Sequence, residues 1–171
     1  GMYAIKSGMK SGSEERTSKG WEMLDRNVER ITTLVKGFLS YSKKHVPVME
    51  LVDPREIARE IHALYQAAAT RDGVTLLLEA EEDVAAAHME PSGIHTCLAN
   101  LVSNALDACE TSDQEHGRVT LTTRERDDVI IYEVADDGIG MDYDVKKKVF
   151  TNFFSTKSAG KGTGLGLSIS Y

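Results

Sequence analysis

Apolar and polar positions along this chain follow two regimes. From Trp21 the apolar residues recur at Trp21, Leu24, Val28, Ile31, Val35 and Phe38, a strict alternation of three and four. That spacing predicts a long helix carrying a coiled-coil seam. Leu34 and Leu39 widen the stripe toward the face that a helical bundle buries. Met2, Ile5 and Met9 keep helical spacing ahead of Ser11-Gly12-Ser13. The first domain, residues 1–46, is therefore expected to hold the tail of one helix, a turn and a second helix of about thirty residues. One hairpin cannot cover both stripes by itself, so a homodimeric four-helix bundle through residues 13–42 is expected. A helix packed on its own domain is the alternative.

Beyond residue 46 the long period breaks. His45-Val46-Pro47 stops the helix, residues 47–53 read as a linker, and 48–52 as a short extended arm. Asp53-Pro54 supplies an N-cap and a first-turn proline for a new helix. Its apolar face is Ile57, Ile61, Leu64, Tyr65 and Ala68, and Gly73 ends it. Residues 74–78 form an apolar strand and 84–89 a weaker one. Ser92 or Glu90 caps a helix running to about Cys109, with Ile94, Leu98, Leu101, Val102, Ala105 and Leu106 turned inward. Residues 118–124 and 129–135 alternate on either side of Glu125-Arg126-Asp127-Asp128 and predict an antiparallel hairpin. Asp142 caps a short helix with Val145 and Val149 inward. The fold class is α+β: a helical hairpin followed by a globular domain over 54–171.

Composition narrows the partners. The 171 residues are 41% hydrophobic, enough for one ordinary core, and the formal charge of -7 argues against nucleic acid or an anionic membrane as the main partner. No apolar run approaches the roughly twenty residues needed to cross a bilayer, and no signal peptide is evident, so a cytoplasmic location is expected. Cys97 and Cys109 lie twelve apart in one predicted helix without His or Cys at ligand spacing. They read as buried free thiols of a reducing compartment. His45, His62, His88 and His95 read as surface or packed side chains, and Gly1 before Met2 as a tag remnant.

The chemistry gathers in the globular part. Asp136-Asp137-Gly138-Ile139-Gly140-Met141 follows the 129–135 strand. A carboxylate at a strand end can accept a hydrogen bond from an exocyclic amine, and two glycines let backbone approach a flat ring. Taken alone, Asp137-Gly138 reads as a turn. On the helix before it, Asn100, Asn104 and Asp107 stand at i, i+4 and i+7 and share one polar face. Asn is a poor mid-helix residue unless its side chain binds something. Two amides and a carboxylate in line suggest a magnesium and phosphate site, because Mg²⁺ takes few oxygen ligands from protein. A solvated face is the alternative. Phe150, Phe153 and Phe154 lie in a loop where they are expected to anchor, and Lys157 beside them suits a phosphate. Gly162-Thr163-Gly164-Leu165-Gly166-Leu167-Ser168 opens a last helix and presents N–H groups to anions. It is neither a Walker A loop nor a dinucleotide fingerprint.

Four elements thus stand in order: Asn100-x-x-x-Asn104-Ala105-x-Asp107, Asp136-x-Gly138-x-Gly140, Phe150-x-x-Phe153-Phe154-x-x-Lys157 and Gly162-Thr163-Gly164-Leu165-Gly166-Leu167. Together they closely resemble the N, G1, F and G2 boxes of sensor histidine kinases, within the wider family that holds Hsp90, DNA gyrase and MutL. The match covers residues 54–171, and the upstream hairpin resembles the second half of that family's dimerisation and phosphoacceptor domain. The resemblance implies a two-layer α/β sandwich that binds ATP with Mg. It implies that Asp136 binds the adenine amine, that Gly138, Gly140 and Met141 line the base, and that Asn104 is the main protein ligand of Mg²⁺ with Asn100 in support. Asp107, Phe150 and Phe153 would complete the nucleotide site, and Lys157 with Gly162, Thr163, Gly164, Leu165 and Gly166 would hold the phosphates. Residues 141–161 would be a lid. The implied reaction moves the γ-phosphoryl group of ATP to a histidine and onward to an aspartate of a response-regulator receiver domain.

Three features depart from the family pattern. Many members carry Lys where this chain has Asp107. No histidine here has the H-box context; that box is expected upstream of Met2 and absent from this chain. Members usually continue past the last helix with further strands, which are expected to be missing after Tyr171. The wider family's ATPases place a Glu at the position of Asn100, and an amide cannot serve as a general base. Transfer by positioning and charge neutralisation is therefore expected over hydrolysis. A nucleotide-binding dimeric sensor or scaffold without kinase activity, or an ATPase of the wider family, are the competing readings.

Overall fold

The computed structural model describes residues 1–42, 46–112, 116–157 and 162–170, apart from the side chains of 29, 30 and 33–42. It divides into two compact units, Gly1–His45 with Ser155–Thr163, and Val46–Phe154 with Gly164–Tyr171.

In the first unit, helices α1 (Met2–Ser11) and α2 (Glu14–Ser42) form the expected hairpin. Gly12 takes the left-handed conformation (φ 65°) that lets the chain reverse, and the Ser13 N–H donates to the Gly8 carbonyl at 2.9 Å. The helices approach closely because glycine stands at both crossing points. A Cβ on Gly8 would lie 2.5 Å from Thr17 Oγ1, and one on Gly20 2.7 Å from the Ile5 nitrogen. Of the seam, Trp21, Val28 and Ile31 are exposed and Leu24 is half-buried. The side chains of Leu34, Val35, Phe38 and Leu39 lie outside the described residues.

The second unit is a two-layer sandwich. Its main sheet has the order β2 (Val74–Ala80), β4 (Gly117–Arg126), β5 (Val129–Asp136), with β2 parallel and β5 antiparallel to β4. Helices α3 (Pro54–Arg71) and α4 (Pro91–Glu110) cover one face of it. The core joins Ile57, Ala58 and Ile61 of α3, Leu98, Val102 and Leu106 of α4, and Val74, Leu76, Val119 and Leu121 of the sheet. The expected arm at 48–52 shortens to β1 (Glu50–Val52), which pairs antiparallel with β3 (Ala87–Met89). The weaker strand expected at 84–89 is thus only its second half, while Val84 is buried outside it.

Asp53 caps α3 as its sequence implies, accepting from the Arg55 N–H at 2.9 Å, and the Arg55 guanidinium holds its carboxyl below the ordinary value. The β4–β5 hairpin is tighter than the spacing suggests. The strands run to Arg126 and from Val129, leaving only Asp127 and Asp128, both at positive φ (51° and 61°). Aspartate tolerates that region better than most residues, and two such positions match the twist of a hairpin. Near the far end of the sheet, Tyr132 Oη donates to the Pro54 carbonyl at 2.9 Å and ties β5 to the start of α3.

Two stability predictions follow from this core. Thr123, fully buried on β4, has no hydrogen-bond partner for Oγ1 among the described residues. Thr123→Val replaces an unsatisfied hydroxyl by a methyl of similar shape, and is expected to stabilise by about 1 kcal/mol in urea unfolding. Equal or lower stability would contradict this. Burial, with the Asp53 carboxylate adding to it, pushes the Tyr132 phenol up to about 12. The unfolded chain releases that proton first, so the contribution is intact below roughly pH 10 and lost as pH rises toward about 12. Tyr132→Phe is expected to flatten this alkaline decline in urea midpoints measured across that range.

Candidate functional site

Helix α4 is the spine of the site. Its apolar residues Leu98, Val102, Ala105, Leu106 and Cys109 are buried against the sheet and α3. The polar line Asn100, Asn104 and Asp107 is half-buried beside them. Both glycine-containing segments reach this helix, two turns apart.

At its C-terminal end, the Ile139 N–H donates to the Ala108 carbonyl at 3.2 Å. A Cβ on Gly138 would lie 2.5 Å from the Ala108 carbonyl carbon and 2.6 Å from its oxygen. Only glycine allows the strand exit to lie so close to helix backbone. The Gly138 N–H in turn donates to Asp136 Oδ1 at 3.0 Å, so one oxygen of this exposed carboxylate is fixed by the next turn of chain. Gly140 sits at φ 65° with open space where a side chain would be, and Met141 beside it is exposed.

Toward the N-terminal end of α4, Asn100 Nδ2 donates to the Gly166 carbonyl at 3.1 Å and to Ser170 Oγ at 3.2 Å. A Cβ on Gly166 would stand 3.3 Å from Asn100 Oδ1. Helix α6 (Gly166–Ser170) is therefore held by the first amide of the polar line, while Leu165 before it is buried. Gly164, at φ 66°, lies against the Phe153 and Phe154 backbone, and the Phe153 N–H donates to its carbonyl at 2.8 Å. Asn104 falls midway, one turn or about 6 Å along the axis from both Asn100 and Ala108. Among the described residues, no group of three or more His, Cys, Asp or Glu could hold a metal ion. The one amide oxygen of Asn104 suits a Mg²⁺ that takes its other ligands from phosphate and water.

The segment between the two glycine clusters carries α5 (Tyr143–Lys148). Asp142 caps it as expected, accepting from the Val145 N–H at 2.8 Å, and Val145 and Val149 are half-buried. Lys147 Nζ lies 4.2 Å from the Tyr143 ring centre. Of the aromatics, Phe154 is half-buried, and Phe150 and Phe153 are 51% and 63% exposed. Phe153 also has a positive φ of 65°, a backbone strain made tolerable by its hydrogen bond to Gly164.

Lys157, Gly162 and Thr163 belong to the other compact unit and are described within it. The Lys157 N–H donates to Ser155 Oγ at 3.2 Å, and a Cβ on Gly162 would meet that same hydroxyl oxygen at 2.7 Å. Of the two thiols, Cys109 is buried as expected and Cys97 only half-buried. Burial and the nearby carboxylates of Asp137 and Asp136 push the Cys109 thiol above its ordinary value. Sequence reasoning singled out neither Asp137 nor Arg118. The structure joins them, with the Arg118 N–H donating to Asp137 Oδ1 at 2.7 Å. The doubled aspartate was the available signal.

Comparison with known proteins agrees with this geometry. Residues 89–171 match the family described as histidine kinase-, DNA gyrase B-, and HSP90-like ATPase. The chain is 31% identical over 163 residues to the sensor kinase CckA of Brucella abortus (strain 2308), covering 86% of this chain but 17% of that protein's length. A nucleotide-free structure of the catalytic domain of histidine kinase ThkA is 26% identical with a TM-score of 0.61, over 71% of this chain and 76% of that one. ThkA in complex with the response regulator TrrA shares the fold, with a TM-score of 0.72 at 23% identity over 99% of this chain and 48% of that one. Fold and likenesses agree: residues 89–171 match the ATP-binding domain of the histidine kinase-, DNA gyrase B-, and HSP90-like type, and the chain is similar to part of the much longer sensor histidine kinases.

Proposed function

We propose that this chain is the ATP-binding core of a kinase that phosphorylates a histidine, from which a response-regulator receiver domain takes the phosphoryl group. One observation carries the reading: the Asp136–Gly138 turn and Gly166 both dock on α4, at Ala108 and at Asn100. With adenine at the Asp136 end, a nucleotide laid along α4 directs its phosphates past Asn104 toward Asn100. Asp136 accepts from the adenine amine, Gly138, Gly140 and Met141 border the base, and Asp107 lies between base and Asn104. Asn104 holds Mg²⁺, which neutralises phosphate charge when bound.

The resemblance adds Phe150, Phe153, Lys157 and the 162–166 backbone as partners of the nucleotide, and residues 141–161 as its lid. Asn100 is engaged through its Nδ2 with Gly166 and Ser170. As an amide it cannot take a proton from water, which favours transfer over hydrolysis. The exposed Trp21, Val28 and Ile31 on α2 support a homodimer through residues 13–42, because an apolar stripe left open on a hairpin is best covered by a second copy. The ThkA–TrrA complex supports a receiver domain as the downstream partner.

Calorimetric titration of Mg·ATP tests the site. Asp136→Asn is expected to weaken binding at least about tenfold, by removing an ionised acceptor. Asn104→Ala is expected to abolish the dependence of ATP affinity on Mg²⁺. Wild-type affinity in Asp136→Asn would sink the adenine assignment, and an unaltered Mg²⁺ dependence in Asn104→Ala the metal assignment. Incubation with γ-labelled ATP is expected to leave the chain unlabelled, since none of His45, His62, His88, His95 and His116 has an acceptor's sequence context. Label on any of them would contradict this.

A further inference from the structure

We infer that Asp137 is a positioning residue that sets the base preference of the nucleotide site by ending the β4–β5 ladder immediately after Asp136. This rests on the reading of Asp136 as the adenine acceptor. In the regular ladder Val119 is opposite Asp136, so the next facing pair is Arg118 and Asp137. Facing residues of a hydrogen-bonded antiparallel pair exchange two bonds between their main chains. Here only one of the two is main chain to main chain: the Asp137 N–H donates to the Arg118 carbonyl at 3.2 Å. The other is replaced, because the Arg118 N–H donates to Asp137 Oδ1 at 2.7 Å.

Asp137 thus lends its side chain to β4 in place of its own carbonyl. The strand ends with no N–H left unpaired at Arg118, and beyond the Asp137 N–H the main chain is released from the sheet. That release lets Gly138 turn onto Ala108 and donate back to Asp136 Oδ1. Cys109 Sγ completes the junction, 3.7 Å from both Asp137 Oδ1 and the Arg118 carbonyl. The oxygen, at its distance from the main chain, is what the geometry uses. An amide oxygen on the same stem can replace it, whereas a carboxylate one methylene further out cannot reach Arg118 without moving the strand end.

The test compares affinities for Mg·ATP and for the Mg complex of purine riboside triphosphate, which lacks the exocyclic amine. The variants are Asp136→Asn, Asp137→Ala, Asp137→Asn and Asp137→Glu in the full chain. The preference for ATP is expected to fall about tenfold in Asp137→Ala and Asp137→Glu, mostly through weaker ATP binding. It is expected to persist in Asp137→Asn, which also decides the matter if Asp137→Ala does not fold. Equal loss for both nucleotides would mean a general structural role and overturn the inference. Preference kept by Glu and lost by Asn would point to charge and overturn it as well. Asp136→Asn separates the two levels. An unchanged ATP affinity there sinks the underlying reading, while a loss there beside an unchanged preference in Asp137→Ala and Asp137→Glu overturns the Asp137 assignment alone.

Discussion

The close approach of Gly138 to the Ala108 carbonyl is the constraint on which the site depends. Strand β5 comes from a hairpin whose turn lies at the opposite end of the sheet, so nothing local fixes where its last residue points. Docking the following glycine on α4 supplies that fixed point. The 2.5–2.7 Å separations a Cβ would have from Ala108 and Cys109 involve backbone atoms, which cannot rotate aside as a side-chain tip would. The position of Asp136 is therefore set by main-chain packing.

The same helix must serve the core and the nucleotide. Five buried apolar residues fasten α4 to the sheet and α3. That anchorage outweighs the few tenths of a kcal/mol by which each mid-helix asparagine disfavours the helix. Once α4 is rigid, its rise of about 1.5 Å per residue becomes the scale of the site. Eight residues, from Asn100 to Ala108, separate the places where the two glycine clusters touch it. In the proposed binding mode, a shift of either cluster by one helical turn would misplace base and phosphates relative to each other.

Much of this was legible in the sequence, for identifiable reasons. The α3 cap at Asp53-Pro54, the apolar stripe of α4 and the alternating strands on either side of Asp127 are local patterns, and local patterns report local structure. The four glycine, amide and aromatic elements were recognisable as a set because their order is as informative as their content. Tertiary choices were not legible. The exposure of Phe150 and Phe153 depends on where the loop lies, and a run of aromatics does not encode that. The use of Asn100 to hold Gly166 and Ser170 depends on a neighbour more than sixty residues away. Asp137 looked like half of an ordinary turn, because its bond to Arg118 belongs to a strand pairing that no short-range pattern encodes.

Gly138→Ala tests the docking of β5 on α4 most directly, followed by amide hydrogen exchange at Ile139 beside Mg·ATP titration. The account predicts that the Ile139 amide, bonded to the Ala108 carbonyl in this structure, loses its protection. ATP affinity should fall at least about tenfold while exchange in the β2–β4 core stays slow. An Ile139 amide as protected as before, together with unchanged ATP affinity, would show that the strand end is positioned by something other than its contact with α4.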